Sequence, residues 1–464
     1  MSHDHASLTN MRFFKIVRFS FLAFYFIFAF SGFAKAGEFY LSQEWMESLK
    51  LEESDFLPFD ENQAKLGQLL FYDPILSGNR NISCGTCHHH DLHSADGLSL
   101  GLGQGGIGIG ENRTVPADNQ TIRRRMPRNS QALFNVGARE ISQIFNDGRV
   151  SSDDYFGNGF NTPAEEFLPE GLETLLAAQS LFPLIGEVEM MGNLEENEIS
   201  PAVNERIDYG WPLLIDRIRD IPDYESLFIE AFGDVDSFKD INITHVGNAL
   251  GAFMGSEWRS FDSPFDQYLN GDLDALNAEE LAGLEIFFGK GNCSSCHSGK
   301  LFADQRFHAL AIPPFGPGRT RKFDLHVRDV GRLAESDRWE DSYRFRTPAL
   351  RNVSLTAPYG HNGAYATLEG IIRHHLNPVV SLANWDSSQV ILPAFEKAER
   401  RDFIIHDDRL EMERFKNFID IEPLELSEQE IQQLIAFLHA LTGTESIKGR
   451  LGRPNEVPSG LLVD

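Results

Sequence analysis

Apolar residues recur at the spacing of an α-helix in two similar stretches of the chain. In residues 277–289 an asparagine and an acidic first turn precede the apolar stripe, and a glycine follows it. These residue types commonly begin and end helices. Residues 64–71 carry a weaker version of the pattern. We therefore expect two related helices, one in each half of the chain.

A third apolar stripe lies near the C-terminus and predicts a closing helix. Ser427 and Glu430 form a capping box before the stripe, and Gly443 is expected to end it. Strand-like alternation of apolar and polar residues is short and rare elsewhere in the chain. The hydrophobic pattern as a whole therefore predicts a mainly α-helical fold.

The length and composition of the chain favour two globular domains. A chain of 464 residues exceeds what one hydrophobic core usually organises. Hydrophobic residues make up 42% of the chain and charged residues 24%, which is enough apolar material for a packed core.

The first 36 residues have the composition of a cleavable export signal. A basic segment, residues 11–18, precedes an apolar run over residues 19–33, and Ala34 and Ala36 form a small-x-small cleavage site. We expect cleavage after Ala36, a location in the periplasm and no membrane segment afterwards. An uncleaved membrane anchor is the alternative, although the apolar run is short for a spanning helix.

The acidic net charge limits the kinds of partner. The formal net charge is −28, and removing residues 1–36, which carry four basic and one acidic side chain, changes it to about −31. Such a charge disfavours nucleic acid, whose phosphates repel an acidic surface. It suits a basic protein partner, and it equally suits a surface that is only well solvated.

All four cysteines of the chain fall in two copies of a Cys-x-x-Cys-His motif. Two disulfides or a zinc site are the alternatives in an exported protein. However, cysteines three apart on one turn can form thioethers to both vinyl groups of a haem, while the adjoining histidine binds the iron. We therefore expect two covalently bound c-type haems, attached through Cys84, Cys87 and His88 and through Cys293, Cys296 and His297.

Residues 101–110 are rich in glycine but do not match a phosphate-binding loop. No Lys-Ser or Lys-Thr pair follows them, and no strand pattern precedes them. We expect this segment to be a loop near the first haem.

The chain resembles the bacterial di-haem cytochrome c peroxidase and MauG superfamily over essentially the whole mature sequence. The resemblance implies two cytochrome c-like haem domains packed against each other, with loop-rich insertions. We expect a peroxidatic domain over residues 37–265 and an electron-transfer domain over residues 266–464. Besides the haem motifs, the segments that carry the resemblance are residues 66–74, 128–135, 147–149, 187–190, 346–352 and 355–363.

The resemblance also implies the residues on the distal side of the first haem, where peroxide reacts. The family places there a Gln, a Pro four residues later and a Glu ten residues after the Gln, and Gln179, Pro183 and Glu189 match this spacing. A carboxylate in an apolar pocket can have its pKa raised towards neutrality and can then move protons. We expect Glu189 to be the acid/base group.

A calcium ion between the haems is a further implication of the resemblance. The family binds it through one side-chain carbonyl and two backbone carbonyls, and the matching positions are Asn129, Thr356 and Pro358. Oxygen ligands of this kind suit Ca²⁺.

The axial ligands distinguish the subfamilies. Many peroxidases carry a distal histidine at the first haem, but this chain has no histidine between His93 and His245, so the resemblance implies an open first haem, as in MauG. The sixth ligand of the second haem lies nineteen residues after the calcium-binding Thr in the family. That count leads to His375, with His374 as the alternative.

One departure from the family concerns the route between the haems. The family commonly has a Trp before Asp-Gly-Arg, and Asn146 stands at that position here. Tyr155 or Phe156, in the segment that follows, could supply another aromatic ring.

The resemblance implies a MauG-type enzyme that uses hydrogen peroxide at an open first haem to oxidise a substrate or a partner protein. One alternative is a cytochrome c peroxidase that takes electrons from a small redox protein. The other is a non-catalytic di-haem cytochrome that only transfers electrons.

Overall fold

The protein is mainly α-helical, as the hydrophobic pattern predicts. The structure, a computed structural model, describes residues 42–118, 121–320 and 327–464. The expected signal peptide lies outside the described residues. Among the helices that are described, none combines the length and the apolar character needed to cross a membrane.

The helices of the N-terminal half are mostly short. One longer helix precedes the first cysteine motif, and another follows the segment after that motif. Both helices, α2 (Glu61–Tyr72) and α8 (Ile243–Glu257), begin at side-chain caps, which Asp60 and Asn242 provide. The helices of this half are α1 (Gln43–Leu49), α2 (Glu61–Tyr72), α3 (Cys84–Cys87), α4 (Leu175–Leu184), α5 (Ile199–Glu205), α6 (Gly210–Arg219), α7 (Pro222–Ala231) and α8 (Ile243–Glu257).

The second half repeats this arrangement around the second cysteine motif. The predicted division of the mature chain after residue 265 stays a prediction, and that point lies within the helix α9 (Pro264–Leu269). The helices are α9 (Pro264–Leu269), α10 (Ala278–Phe288), α11 (Leu333–Ser336), α12 (Leu368–Leu376), α13 (Pro378–Ala383), α14 (Glu396–Glu399), α15 (Arg409–Asn417), α16 (Glu428–Ala440) and α17 (Glu445–Lys448).

The β-structure of the described residues consists of two small antiparallel pairs. Strand β1 (Gln143–Ile144) pairs with β2 (Val150–Ser151), and β3 (Phe307–His308) pairs with β4 (Phe345–Arg346). In the second pair, Phe307 is opposite Arg346 and His308 is opposite Phe345. The expectation of few and short strands is confirmed.

A glycine permits the close crossing of helices in each half of the molecule. Gly67 of α2 lies against α8, where a Cβ would overlap the carbonyl oxygen of Ala249. Gly283 of α10 lies in the same way against α16, where a Cβ would overlap the carbonyl oxygen of Gln433. The helix before each cysteine motif thus crosses its partner at a glycine, which supports the interpretation of a repeated module.

The closing helix is confirmed, but its end is not where the sequence places it. Ser427 accepts a hydrogen bond from the backbone N–H of Glu430, and α16 begins there. The helix ends at Ala440, in a tight turn, and does not extend to Gly443. The N–H of Gly443 instead donates to Asn352 at 2.7 Å, and a Cβ at this position would overlap Asp262. This glycine therefore lies in close contact with the side chain of Asp262 and does not end the helix.

A buried ion network joins segments that are distant in the sequence. The guanidinium of Arg128 donates to both oxygens of Asp329, at 2.7 and 2.8 Å, and to Asp147 at 2.7 Å. All three side chains are buried. The surrounding arginines, Arg128 first, hold the pKa of Asp147 far below its usual range against the opposing effect of burial. The network therefore fixes residues 128 and 147 against the segment that contains residue 329.

Candidate functional site

One cavity of about 1210 Å³ is lined by both Cys-x-x-Cys-His motifs. Its wall also includes residues from the segments that resemble the peroxidase superfamily, and apolar side chains predominate in it. Ligand sites in proteins are commonly concave and apolar with a few polar groups of fixed position. The cavity is therefore the candidate site for both groups that the motifs attach.

A backbone carbonyl group orients His88, the histidine of the first motif. Cys84 and Cys87 begin and end the single turn of α3, and His88 follows it. The Nδ1 atom of His88 lies 3.1 Å from the carbonyl oxygen of Ser94. A carbonyl oxygen can only accept, so Nδ1 carries the proton and Nε2 keeps the lone pair that binds metals. Burial lowers the pKa of His88, which favours the neutral, metal-binding form.

The second histidine is oriented in the same way. Its motif forms a short turn over Cys293–Ser295, and the Nδ1 atom of His297 lies 2.9 Å from the carbonyl oxygen of Phe302. Burial lowers the pKa of His297 to about 4, with His375 as the next contribution. The two motifs thus present equivalent imidazoles to the cavity.

The three residues expected on the distal side of the first haem all line the cavity. Gln179 and Pro183 lie on α4, and Glu189 lies on the π-helical turn Glu187–Met191 that follows. Turns of this kind are uncommon and often occur at functional sites. Burial raises the pKa of Glu189, while the positive charges of Arg149 and Arg319 act in the opposite direction. The structure therefore brings these residues together at one wall, with a carboxyl group able to hold a proton.

The glycine-rich loop supports the turn that carries Glu189. The N–H of Gln104 donates to the carbonyl oxygen of Glu189 at 2.9 Å. A Cβ at Gly103 would overlap the carbonyl oxygen of Val188, so only glycine permits this approach. Arg113 holds the loop by donating to the carbonyl oxygens of Leu102, Gly103 and Gly108. The sequence predicts this loop near the first haem, but it did not reveal the contact with the turn that carries Glu189.

The structure separates the two candidates for the sixth ligand of the second haem. His375 lines the cavity, its Nδ1 atom lies 2.8 Å from the carbonyl oxygen of Ile371, and its ring centroid is 6.5 Å from that of His297. Imidazole nitrogens bind metals at about 2 Å, so this separation accommodates one metal ion between the rings. His374 is fully buried, and both its nitrogens are engaged, by Leu310 at 2.7 Å and Tyr365 at 2.8 Å. The geometry therefore favours His375.

Comparison with known proteins agrees with this arrangement. The sequence model of the family described as di-haem cytochrome c peroxidase matches residues 61–274. The cytochrome c551 peroxidase of Pseudomonas aeruginosa is 31% identical over 310 residues, which are 66% of this chain and 69% of that protein. The chain belongs to the di-haem cytochrome c peroxidase family.

Other relatives and solved structures extend the comparison. The methylamine utilization protein MauG of Methylorubrum extorquens is 26% identical over 386 residues, or 83% of this chain and 79% of that protein. A crystal structure of a MauG-like protein associated with microbial copper homeostasis has a TM-score of 0.55 and 24% identity, covering 87% of this chain and 95% of that chain. The likeness to this solved structure shows the fold of the chain. As a family member, this peroxidase is an oxidoreductase with two c-type haems.

The cysteines of the peroxidase fit covalently attached haem. None of the four, all of which are described, forms a disulfide, and all have sulfur atoms within motifs that line the cavity. Burial raises the pKa of Cys84, Cys87 and Cys293 to about 12, so these thiols are neutral in apolar surroundings. The donor set of each motif, two sulfurs and one neutral imidazole, is the set that a c-type haem requires.

Cys296 belongs to a group of side chains that could hold a metal ion. Its sulfur lies within 4.8 Å of ligand atoms of Asp304 and His308, and His308 forms an ion pair with Asp304 at 2.8 Å. In a c-type haem site, however, this sulfur is bonded to a vinyl carbon and is no longer a thiolate. A zinc site at this cysteine therefore does not fit, because the attachment of haem consumes the thiolate that would bind the zinc ion.

The three residues expected to bind calcium also lie on the wall of the cavity. The amide nitrogen of Asn129 donates to the carbonyl oxygen of Leu98 at 2.7 Å, so the side-chain oxygen is the atom suited to a cation. Thr356 and Pro358 come from the segment after β4. The structure thus brings together positions that are more than 200 residues apart in the sequence, since Asn129 and Thr356 differ by 227.

The structure does not place either of the two rings that could replace the missing Trp at the cavity. The side chain of Tyr155 is 81% exposed, and among the described residues that line the cavity neither Tyr155 nor Phe156 is found. The two rings pack on each other at the surface instead. Beside Asn146, the ring of Phe345 stacks on the ring of His361, with the two centroids 3.6 Å apart. Both of these rings line the cavity.

Proposed function

We propose that the chain is an exported, MauG-type di-haem peroxidase that uses hydrogen peroxide at an open first haem to oxidise a substrate or a partner protein. Export to the periplasm with cleavage after Ala36, and the division into domains at residues 37–265 and 266–464, belong to this proposal. The observation that carries it is the wall formed by Gln179, Pro183 and Glu189, in a chain whose residues 94–244 contain no histidine.

The side chains of this wall perform the proton chemistry. Haem, when bound, supplies an iron that peroxide can reach and that exchanges electrons. Glu189 takes a proton from one oxygen of peroxide and delivers it to the leaving oxygen, because burial raises its pKa and lets it hold that proton. Gln179 offers an amide that orients the peroxide, and Pro183 lies on the same helix as Gln179 and lines the cavity beside it.

We propose that His375 is the sixth ligand of the second haem. Its Nδ1 proton is directed at Ile371, which leaves the lone pair on Nε2, and its ring centroid lies 6.5 Å from that of His297. A nitrogen ligand in place of the sulfur of Met favours the oxidised iron. The second haem is then poor at storing an electron from a cytochrome, which supports oxidation of a substrate over consumption of cytochrome electrons.

We also propose a calcium ion between the haems, held by the side chain of Asn129 and the carbonyl groups of Thr356 and Pro358. All three residues line the cavity, and the backbone N–H of Asn129 donates to the carbonyl oxygen of His361, close in sequence to Thr356 and Pro358, which supports this assignment. Elemental analysis of protein purified without added calcium is expected to find calcium together with iron. Iron without calcium would contradict the assignment.

A cytochrome c peroxidase with a small cytochrome donor is the second candidate. The net charge of −28 suits a basic donor protein, and the relative from Pseudomonas aeruginosa is named a cytochrome c551 peroxidase. A cytochrome that only transfers electrons is disfavoured, because it has no use for an acid/base wall.

The first prediction distinguishes the two enzymes. The oxidised protein, as isolated, is expected to react with hydrogen peroxide without prior reduction, because no distal histidine has to leave the first haem. Stopped-flow absorption spectroscopy measures this reaction, with a half-reduced sample as the reference. A reaction that begins only after reduction would establish the cytochrome c peroxidase type instead.

The second prediction concerns Glu189. Glu189→Gln is expected to slow the reaction with peroxide by about 10²–10⁴-fold, the usual contribution of an acid/base group, while the haem content stays the same. Glu187→Gln is the matched control, since Glu187 lies on the same turn but is exposed. Equal rates for the two variants would remove Glu189 from the mechanism.

The third prediction concerns the second haem. His375→Ala is expected to convert a low-spin signal in the EPR spectrum to a high-spin signal, because the iron loses a nitrogen ligand. His374→Gln is the control and is expected to retain the low-spin signal. The reverse pattern would assign His374 as the ligand, and no change in either variant would exclude both.

A further inference from the structure

We propose that Trp339 is a surface oxidation site, at which an electron donor too large for the cavity is oxidised through a relay that passes by Tyr343. This proposal rests on the proposed function, because hydrogen peroxide supplies the oxidising equivalents. It adds a second place of substrate oxidation, outside the haem cavity, for bulky one-electron donors such as protein side chains or polymer-bound phenols.

A continuous series of aromatic rings connects Trp339 with the cavity. The side chain of Trp339 is 67% exposed, and its ring centroid lies 5.5 Å from that of Phe418. Phe418 lies 5.5 Å from Tyr343, and Tyr343 stacks on Phe415 at 4.2 Å. Each ring is thus in van der Waals contact range of the next, from solvent to the interior.

The inner end of this series reaches the haem site. Tyr343 and Phe415 are 4% and 2% exposed, and both line the cavity that Cys296 and His375 also line. The outer end lies in the short turn Trp339–Asp341, which precedes Tyr343 in the sequence. An electron that enters at Trp339 therefore has a path to the cavity without leaving aromatic side chains.

Tyr343 has the proton acceptor that its oxidation requires. Its hydroxyl donates to Oε1 of Glu411 at 2.5 Å, a length typical of a hydrogen bond to a carboxylate. Arg328, at 3.0 Å, and Arg414, at 2.8 Å, also donate hydrogen bonds to this carboxylate. Burial, followed by the hydrogen bond to Glu411, raises the pKa of Tyr343, so the phenol is protonated at rest. Glu411 and Phe415 lie one turn apart on α15, and both contact Tyr343.

The relay balances in atoms and electrons. One electron leaves Tyr343 towards the cavity while its phenolic proton moves to Glu411. An electron from Trp339 then restores Tyr343, the proton returns from Glu411, and an external donor restores Trp339. Two such passes, with two protons from solvent, reduce one molecule of hydrogen peroxide to two molecules of water. Two molecules of a one-electron donor are oxidised in exchange.

Trp45 provides a matched comparison within the same chain. It is 37% exposed and lies 5.0 Å from Phe288, which lies 5.1 Å from Phe287 on the cavity wall. Both paths have a phenylalanine next to the tryptophan, Phe418 in the first and Phe288 in the second, but only the first then reaches a tyrosine, which is much easier to oxidise than phenylalanine. We therefore expect the relay at Trp339 and not at Trp45.

The test uses the haem-loaded protein with hydrogen peroxide and no added donor. Under these conditions an oxidised Trp339 reacts with water or oxygen, and peptide mass spectrometry is expected to find oxygen-addition products at Trp339 and not at Trp45. Tyr343→Phe, which retains the ring stack, is expected to reduce the modification of Trp339 to the level of Trp45. Glu411→Gln, which retains the shape of the side chain, is expected to do the same by removing the base, and it serves if Tyr343→Phe does not fold.

A donor that cannot enter the cavity tests the outer end of the relay. The ratio of the oxidation rate of dextran-linked hydroquinone to that of free hydroquinone is expected to fall in Trp339→Phe and to stay unchanged in Trp45→Phe. Peroxide consumption without modification of Trp339, or modification that persists in Tyr343→Phe, would overturn the relay while the proposed function stands. A wild-type protein that consumes no peroxide would overturn both.

Discussion

A single type of hydrogen bond determines what the cavity can bind. In His88, His297 and His375, Nδ1 faces a backbone carbonyl at 2.8–3.1 Å, so each ring keeps its lone pair on Nε2. An imidazole held in this way is rigid, neutral and directed, which is the condition for binding iron without rearrangement. His374 shows the contrast, because its two nitrogens are used within the protein.

The elements around these histidines serve to place them. In each half a glycine brings two helices into close contact beside a cysteine motif, at Gly67 and at Gly283. The buried ion pairs of Arg128 fix the segments between the motifs. Removing one charged side chain from such a network leaves its partner buried without an opposite charge, which lowers the free energy of unfolding by about 3–5 kcal/mol. The cavity thus depends on packing between helices and on charge pairing between segments.

The two ends of the cavity carry different chemistry. Glu189 is a carboxyl group whose pKa is raised by burial, next to a glycine-rich loop that holds its turn in place. Near the second motif the wall includes Tyr343, whose hydroxyl already faces a base. In the proposed function, Glu189 moves protons on peroxide, and in the proposed relay Tyr343 moves electrons to and from the outside. A single cavity can therefore link peroxide chemistry to oxidation at a distance.

The sequence by itself determined the class of protein, because covalent haem attachment needs adjacent residues, and Cys84, Cys87 and His88 are recognisable without a fold. Helix caps such as Asn277 and Ser427 are equally local, and both are confirmed. Tertiary structure alone decided the contact of Gly103 with Val188, the different surroundings of His374 and His375, and the exposed position of Tyr155. These depend on which distant backbone atoms meet a side chain, and no spacing along the chain encodes that.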